Sequence, residues 1–261
     1  RGFIPPLAFL EFQANKVLPI AADMRRFEHL LYTPAPDIVH EAAGHAPILA
    51  DKDYRDYLCA YAEVASKAIF SKEDIRVYEA IRKLSDLKEN PDASLQEIEQ
   101  AQNELDLATR ESTWLSEASQ LSRMYWWSVE YGLVGNFEAP KVYGAGLLSS
   151  LSEGQACLGK QVRKFPFDLD CIQCSYDITK PQPQLFVTKS FKDLTRVLKE
   201  FEKTMAFSQG GLRGLKLAQK AQTVTTVTLD SKISISGVLC EIKENSSEVS
   251  FLKWQGPVQL S

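Results

Sequence analysis

The chain has 261 residues, 44% of them hydrophobic and 25% charged, with a formal net charge of −4. That composition suits a globular protein with a sizeable core, and its slight acidity gives no electrostatic reason to expect nucleic acid or an anionic membrane as partner. No apolar run approaches the roughly 20 residues that span a bilayer. The chain opens at Arg1 with neither a methionine nor a signal peptide, so upstream sequence is expected to precede it.

In chain order, residues 1–31 read as helix, with Phe9, Phe12, Val17 and Ile20 at roughly helical spacing. The prolines of "TPAPD" interrupt that pattern, and Asp37 is suited to cap the helix that follows. Another helical pattern runs from Tyr54 to about Phe70. Residues 72–113 predict a charged helical hairpin broken at "NPDAS" and projecting from the body, with Ile75, Tyr78, Ile81 and Leu84 stepping at three- and four-residue intervals. The segment "SEASQLSRMYWWSVEYG" reads as a helix stopping near Gly132. "VYGAGLLSSLSEGQACLG" is a glycine-punctuated turn entering a helix, and "CIQCSYDITKPQPQLFV" predicts an edge strand or extended loop. A capped helix starts after Ser190. Beyond residue 220, "TVTTVTL", "KISISGVLCEI" and "EVSFLKW" alternate with period two and predict a small antiparallel meander. The fold class is therefore mainly α (α+β).

Five scattered cysteines fit a reducing cytosol better than a disulfide framework. Cys171-x-x-Cys174 could be redox-active or half of a zinc site, but no second such pair is present, and two reduced thiols near a strand is the plainer reading.

Chemistry concentrates at "HEAAGH". Two of the chain's three histidines, His40 and His45, lie there five positions apart. On a continuous ideal α-helix that spacing would rotate the second ring by roughly 140°, so this is not the His-Glu-x-x-His pattern of zinc peptidases. A helix ending at Gly44 with a left-handed cap would turn His45 back toward His40. A metal site needs a third ligand. His29 sits on an ordinary polar face, whereas Glu130 lies among Tyr125, Trp126, Trp127, Val129 and Tyr131. A carboxylate in such company costs several kcal/mol unless it is paired with a cation or bound to metal. Two histidines and a carboxylate with open positions form the facial triad of non-haem iron oxygenases. An acid–base pair and two structural histidines stay open as alternatives.

The blocks "MRRFEHLLYTPAPDIVHEAAGH", "YWWSVEYGLV", "YGAGLLSSLSE" and "PQPQLFV" occur in the order seen in the pterin-dependent aromatic amino acid hydroxylases, and the chain resembles that family over about 3–72 and 114–206, closest to its phenylalanine hydroxylases. The resemblance implies a cytoplasmic oxidoreductase of phenylalanine catabolism. Its helical catalytic domain would span 1–219, N-terminally incomplete and carrying the 72–113 hairpin, with 220–261 as a β-rich appendage. It implies that His40, His45 and Glu130 hold a catalytic Fe(II). Arg25 and Thr33, helped by Ser149, would receive the substrate carboxylate. Trp126 and Tyr131 would line the substrate-ring pocket, with Pro34 and Gly146 in its walls. Phe9, Leu10 and Glu41 would meet the pterin, tetrahydrobiopterin or another reduced pterin. Iron and pterin together would activate O2 for ring hydroxylation. L-Phenylalanine is the expected substrate because Trp126 and the aliphatic Ile178 match the phenylalanine enzymes. Tryptophan or tyrosine hydroxylation is the alternative, as is a metal-binding interaction module without turnover.

The chain also departs from the family's pattern. His45 and Glu130 are separated by 84 residues, more than is usual, and the hairpin accounts for the excess. That hairpin could be a partner surface, a lid or a neutral insertion, and the 220–261 segment could equally meet a protein partner. Ala35 stands where the family has a glutamate, and Pro19 where it has a polar residue. The long stretch preceding Phe3, the regulatory domain and the tetramerising helix of animal members have no counterpart here, so tetramers by that route are not expected.

Overall fold

The computed structural model describes residues 6–25, 27, 36–177, 181–246 and 248–261. Its helices, in chain order, are α1 (Pro6–Ala14), α2 (Ala46–Ile48), α3 (Lys52–Ala65), α4 (Lys72–Glu89), α5 (Leu95–Glu111), α6 (Glu117–Tyr125), α7 (Ala145–Ser149), α8 (Leu151–Ala156), α9 (Phe191–Glu202), α10 (Ala206–Gln209) and α11 (Gly211–Ala221). Two π-helical turns, His40–His45 and Trp126–Glu130, run directly into α2 and out of α6. The strands are β1 (Gly132–Val134), β2 (Lys141–Val142), β3 (Arg163–Pro166), β4 (Gln184–Thr188), β5 (Val224–Thr228), β6 (Ser234–Asn245) and β7 (Glu248–Leu260). This is the mainly helical α+β architecture that the patterning predicts. Among the described residues no helix is long and apolar enough to cross a membrane.

The chain divides into two compact units, 1–66 with 88–91 and 120–201, and 67–87 with 92–119 and 202–261. In the first, Asp51 caps α3 by accepting from Tyr54 N, and α3 packs Tyr54, Tyr57, Leu58 and Tyr61 inward. Tyr57 and Ser128 hydroxyls meet at 2.8 Å, and Tyr61 donates to Leu121 O at 2.9 Å, so the polar tips of these buried rings are satisfied. A four-stranded sheet of order β2-β1-β4-β3 belongs to the same unit.

Two expectations are corrected here. The helix expected over 1–31 ends, within the described residues, at Ala14. Lys16 takes φ 62°, Pro19 has no N–H to donate, and 17–25 forms no regular element, leaving Val17 and Ile20 exposed. The segment read as an edge strand or loop is a 3-10 turn at Leu169–Gln173 followed by β4, which pairs in parallel with both β1 and β3. Pro181 and Pro183 precede that strand, so they remove no donor from its ladder.

In the second unit, α4 and α5 form the predicted hairpin. Ser94 and Glu97 build a reciprocal capping box at the start of α5. Arg76 pairs with Glu111 and Lys83 with Glu104, each at 2.6 Å, while Leu84, Ala101 and Ala108 are buried and Ile75 remains exposed. The meander is antiparallel, of order β5-β6-β7, as its alternation predicts. Leu239 of β6 joins Ala218 and Ala221 of α11, Ala206 and Ile69 in one core, with Trp114 and Trp254 packed against it. The hairpin thus shares a compact unit with the C-terminal strands.

Candidate metal centre

The His40–His45 segment winds as a π-turn, in which each N–H reaches five residues back; Ala46 N–H donates to Glu41 O. Positions five apart therefore face the same way. The imidazoles meet edge to face at 80°, with their Nε2 atoms 3.0 Å apart. The expectation of a helix end at Gly44 is corrected. Gly44 lies outside the left-handed region, and the helix widens and continues into α2, with Pro47 at its start, where a missing N–H is tolerated. The glycine serves close approach instead: a Cβ there would stand 2.6 Å from Ala145 O and 2.9 Å from Ala145 Cα. Its absence lets α7 lie against the turn.

The second π-turn, closed by Tyr131 N–H donating to Trp126 O at 2.8 Å, aims Glu130 at the same point. Glu130 Oε2 is 3.5 Å from His40 Nε2, and Oε1 is 3.4 Å from His45 Nε2. All three ligand atoms fall within 4.8 Å of one another. Donors bound to one ion at about 2.0–2.1 Å lie about 2.9 Å apart at right angles and about 3.4 Å apart at tetrahedral angles. The set therefore fits a single ion held by three protein ligands. His40 and Glu130 are shifted toward the protonation states that ligation needs, whereas His45 is shifted toward the cation and would release its proton to a bound ion. Burial drives His40 below the usual histidine range despite the Glu130 charge. Burial also opposes protonation of His45, but its bond to Glu130 raises it. Glu130 in turn is held low by the two histidines in spite of its burial. An ionised carboxylate beside a neutral imidazole is what metal ligation requires.

The next layer of residues orients these ligands. Ser149 Oγ donates to Ala145 O at 2.7 Å, which uses its one proton, so it accepts from His40 Nδ1–H at 2.9 Å and leaves the Nε2 lone pair facing the triad. Asp37 caps the turn as predicted, accepting from His40 N at 3.0 Å. It also receives Arg25 as a bidentate fork, Nε at 2.8 Å and Nη2 at 2.7 Å, with both side chains about 5% exposed or less. Arg25 Nη1 donates to Ser149 O at 3.2 Å. Burial alone would raise the Asp37 carboxyl, but the Arg25 guanidinium and two backbone N–H groups hold it at about 2. Three of the five guanidinium N–H groups of Arg25 are thus placed on the protein itself.

Trp126 lies stacked between Tyr131, 4.7 Å and 20° away, and Tyr176, 4.3 Å and 9° away. Gly146 abuts Tyr131, whose Cε2 would be 2.9 Å from a Cβ at that position. On α1, Leu10 is buried and Phe9 half-buried, and the helix packs against α3. Glu41 Oε1 accepts from Ala21 N at 3.3 Å. Thr33, Pro34 and Ile178 lie outside the described residues, as do His29 and Ala35. Sequence reasoning brought out neither Tyr176 nor Glu153, a buried carboxylate bonded to the Tyr131 hydroxyl at 2.8 Å. Nor did it connect Asp37 to Arg25, although an aspartate three residues before the first ligand was visible.

A model of the family described as biopterin-dependent aromatic amino acid hydroxylase matches residues 1–81 and 93–252. The chain is 28% identical over 251 residues to a phenylalanine-4-hydroxylase of Dictyostelium discoideum, covering 95% of this chain and 44% of that protein. It is 30% identical over 207 residues to that of Homo sapiens, covering 78% and 34%. A crystal structure of Chromobacterium violaceum phenylalanine hydroxylase with bound iron(III) and oxidised cofactor 7,8-dihydrobiopterin superposes with a TM-score of 0.56 at 27% identity, covering 78% of this chain and 59% of that one. The chain therefore spans about a third to a half of the length of the relatives it matches.

Proposed function

The chain belongs to the biopterin-dependent aromatic amino acid hydroxylases, and from that premise we propose that it is an iron- and tetrahydropterin-dependent monooxygenase that hydroxylates the ring of an aromatic amino acid, converting L-phenylalanine to tyrosine. The observation that carries the reading is the convergence of His40 Nε2, His45 Nε2 and a Glu130 oxygen within 4.8 Å. Relatives called phenylalanine-4-hydroxylase, and a similar structure containing iron and dihydrobiopterin, support the same cofactors and substrate.

In this proposal His40, His45 and Glu130 hold Fe(II), which together with the reduced pterin supplies activation of O2. Ser149 keeps the His40 proton on Nδ1, so that Nε2 is free to ligate. Arg25, oriented by Asp37, takes the amino acid carboxylate together with Thr33. Trp126, stiffened by the two neighbours that cover its faces, offers the edge of its indole to the substrate ring, with Tyr131, Pro34 and Gly146 around it. Phe9, Leu10 and Glu41 meet the pterin. The burial of His40 and His45 limits water at the reacting centre. Residues 1–219 serve as the catalytic domain, with 72–113 inserted and 220–261 appended, and the five free cysteines suit a reducing cytoplasm.

The test is turnover of an equimolar mixture of phenylalanine, tyrosine and tryptophan by the Fe(II)-loaded chain with tetrahydropterin and air, products being resolved by mass. Tyrosine formed from phenylalanine, and lost in His45→Ala, is the expected result. Preferential hydroxylation of tryptophan or tyrosine would reassign the substrate, and no product with iron bound would reduce the chain to a metal-binding module.

A further inference from the structure

Glu153 in α8 is 6% exposed. Burial strips a carboxylate of its hydration, and two neutral donors replace it here: the Tyr131 hydroxyl on Oε2 at 2.8 Å and the Gln182 backbone N–H on Oε1 at 3.0 Å. The two donors lead to opposite faces of the same indole. Tyr131 stacks on one face of Trp126. Gln182 Nε2 donates to Asp177 O at 2.7 Å and so ties down the residue next to Tyr176, whose ring stacks on the other face. The indole has no polar anchor of its own, since Trp126 Nε1 is buried without a hydrogen-bond partner among the described residues. Its orientation therefore rests on its two neighbours.

We infer that Glu153 is a positioning residue: one carboxylate fixes both rings of the Tyr131–Trp126–Tyr176 sandwich and thereby sets the wall that receives the substrate's aromatic ring. The inference rests on the hydroxylase reading above. Glu153 touches neither the metal ligands nor the reacting atoms and acts through Tyr131 and through the bond from Gln182 to Asp177. Its loss should therefore weaken ring binding and loosen coupling of pterin oxidation to hydroxylation, while iron stays bound.

The experiment compares the Fe(II)-loaded wild-type chain with Glu153→Met and Glu153→Gln. Methionine has similar length and no partner for either donor. Glutamine can still accept from Gln182 N–H through its oxygen and donate to the Tyr131 oxygen through its nitrogen. Readouts are iron per chain, KM and kcat for phenylalanine, pterin oxidised per product, and calorimetric binding of phenylalanine without pterin. Glu153→Met should raise KM and weaken calorimetric binding about tenfold, with a smaller change in kcat, unchanged iron and more pterin oxidised per product. Glu153→Gln should stay within about threefold of wild type. Tyr131→Phe removes only the hydroxyl and should raise KM about threefold, which tests the same link should the methionine variant not fold. Unchanged KM and binding in both Glu153→Met and Tyr131→Phe, or equal losses in Glu153→Gln and Glu153→Met, would overturn the inference while wild-type turnover preserved the hydroxylase reading. A wild-type chain that hydroxylates no aromatic amino acid would overturn both.

Discussion

Trp126 and Tyr131 are five positions apart and stack with ring centroids 4.7 Å apart, while His40 and His45, also five apart, bring their Nε2 atoms to 3.0 Å. One backbone device produces both pairs. A π-turn carries residue i+5 back over residue i, as the bonds Ala46 N to Glu41 O and Tyr131 N to Trp126 O record. The first turn presents the two histidines proposed as metal ligands. The second presents Glu130, the proposed third ligand, and Trp126, proposed to line the ring pocket.

Because α7 lies against the first turn at Gly44, that residue is a sensitive point of the scaffold. Gly44→Ala would press a methyl into Ala145 O and Cα. Thermal unfolding should show a loss of about 1–3 kcal/mol, and iron affinity should fall with it, because α7 also carries Ser149. An unchanged melting temperature would mean that the two elements separate freely.

Ser149→Ala leaves His40 Nδ1 without its acceptor. The ring loses its orientation and tautomer bias, and iron affinity should fall about 10–100-fold. Fold stability should change by only about 1 kcal/mol. Iron titration followed by chemical denaturation of the same samples separates the two effects.

Asp37 supplies a pH signature. Its folded-state pKa lies near 2, below its ordinary value of 3.8. The proton therefore prefers the unfolded chain, so the stabilisation is complete above pH 4 and is lost as pH falls through about 2. The shift corresponds to about 2 kcal/mol. Urea unfolding measured from pH 5 to pH 2 should show this decline in wild type, and the Asp37 contribution to it should be missing from Asp37→Asn. At pH 7 that variant should be about 3–5 kcal/mol less stable, because Arg25 stays buried without its partner.

Metal should stabilise the fold by mass action. Fe(II) at about a hundred times its dissociation constant should add about 2.7 kcal/mol, seen as a rise in melting temperature that a chelator reverses. In His45→Ala the rise should vanish.

The hairpin and the C-terminal meander were legible because each satisfies one period throughout: 3.6 residues in α4 and α5, two in β5, β6 and β7. The parallel strands were not. β1 is the three residues Gly132–Val134 continuing an apolar helix, and β4 follows two prolines, so neither shows a period of its own. At the site, residue chemistry singled out His40, His45 and Glu130, but spacing alone argued against the histidines meeting on an α-helix. The π-turn resolves that conflict, and nothing local in "HEAAGH" distinguishes it from a helix stop. The partners of Arg25 and His40 are set by long-range packing, Ser149 lying 109 positions from His40, and such pairs leave no periodic trace.

The most direct test of the central claim is anaerobic equilibrium dialysis of Fe(II) against the wild-type chain, His40→Ala, His45→Ala and Glu130→Ala. One iron per wild-type chain, with affinity at least about a hundredfold weaker in each variant, is the expected result. Undiminished binding in any of the three would contradict a site built from those residues.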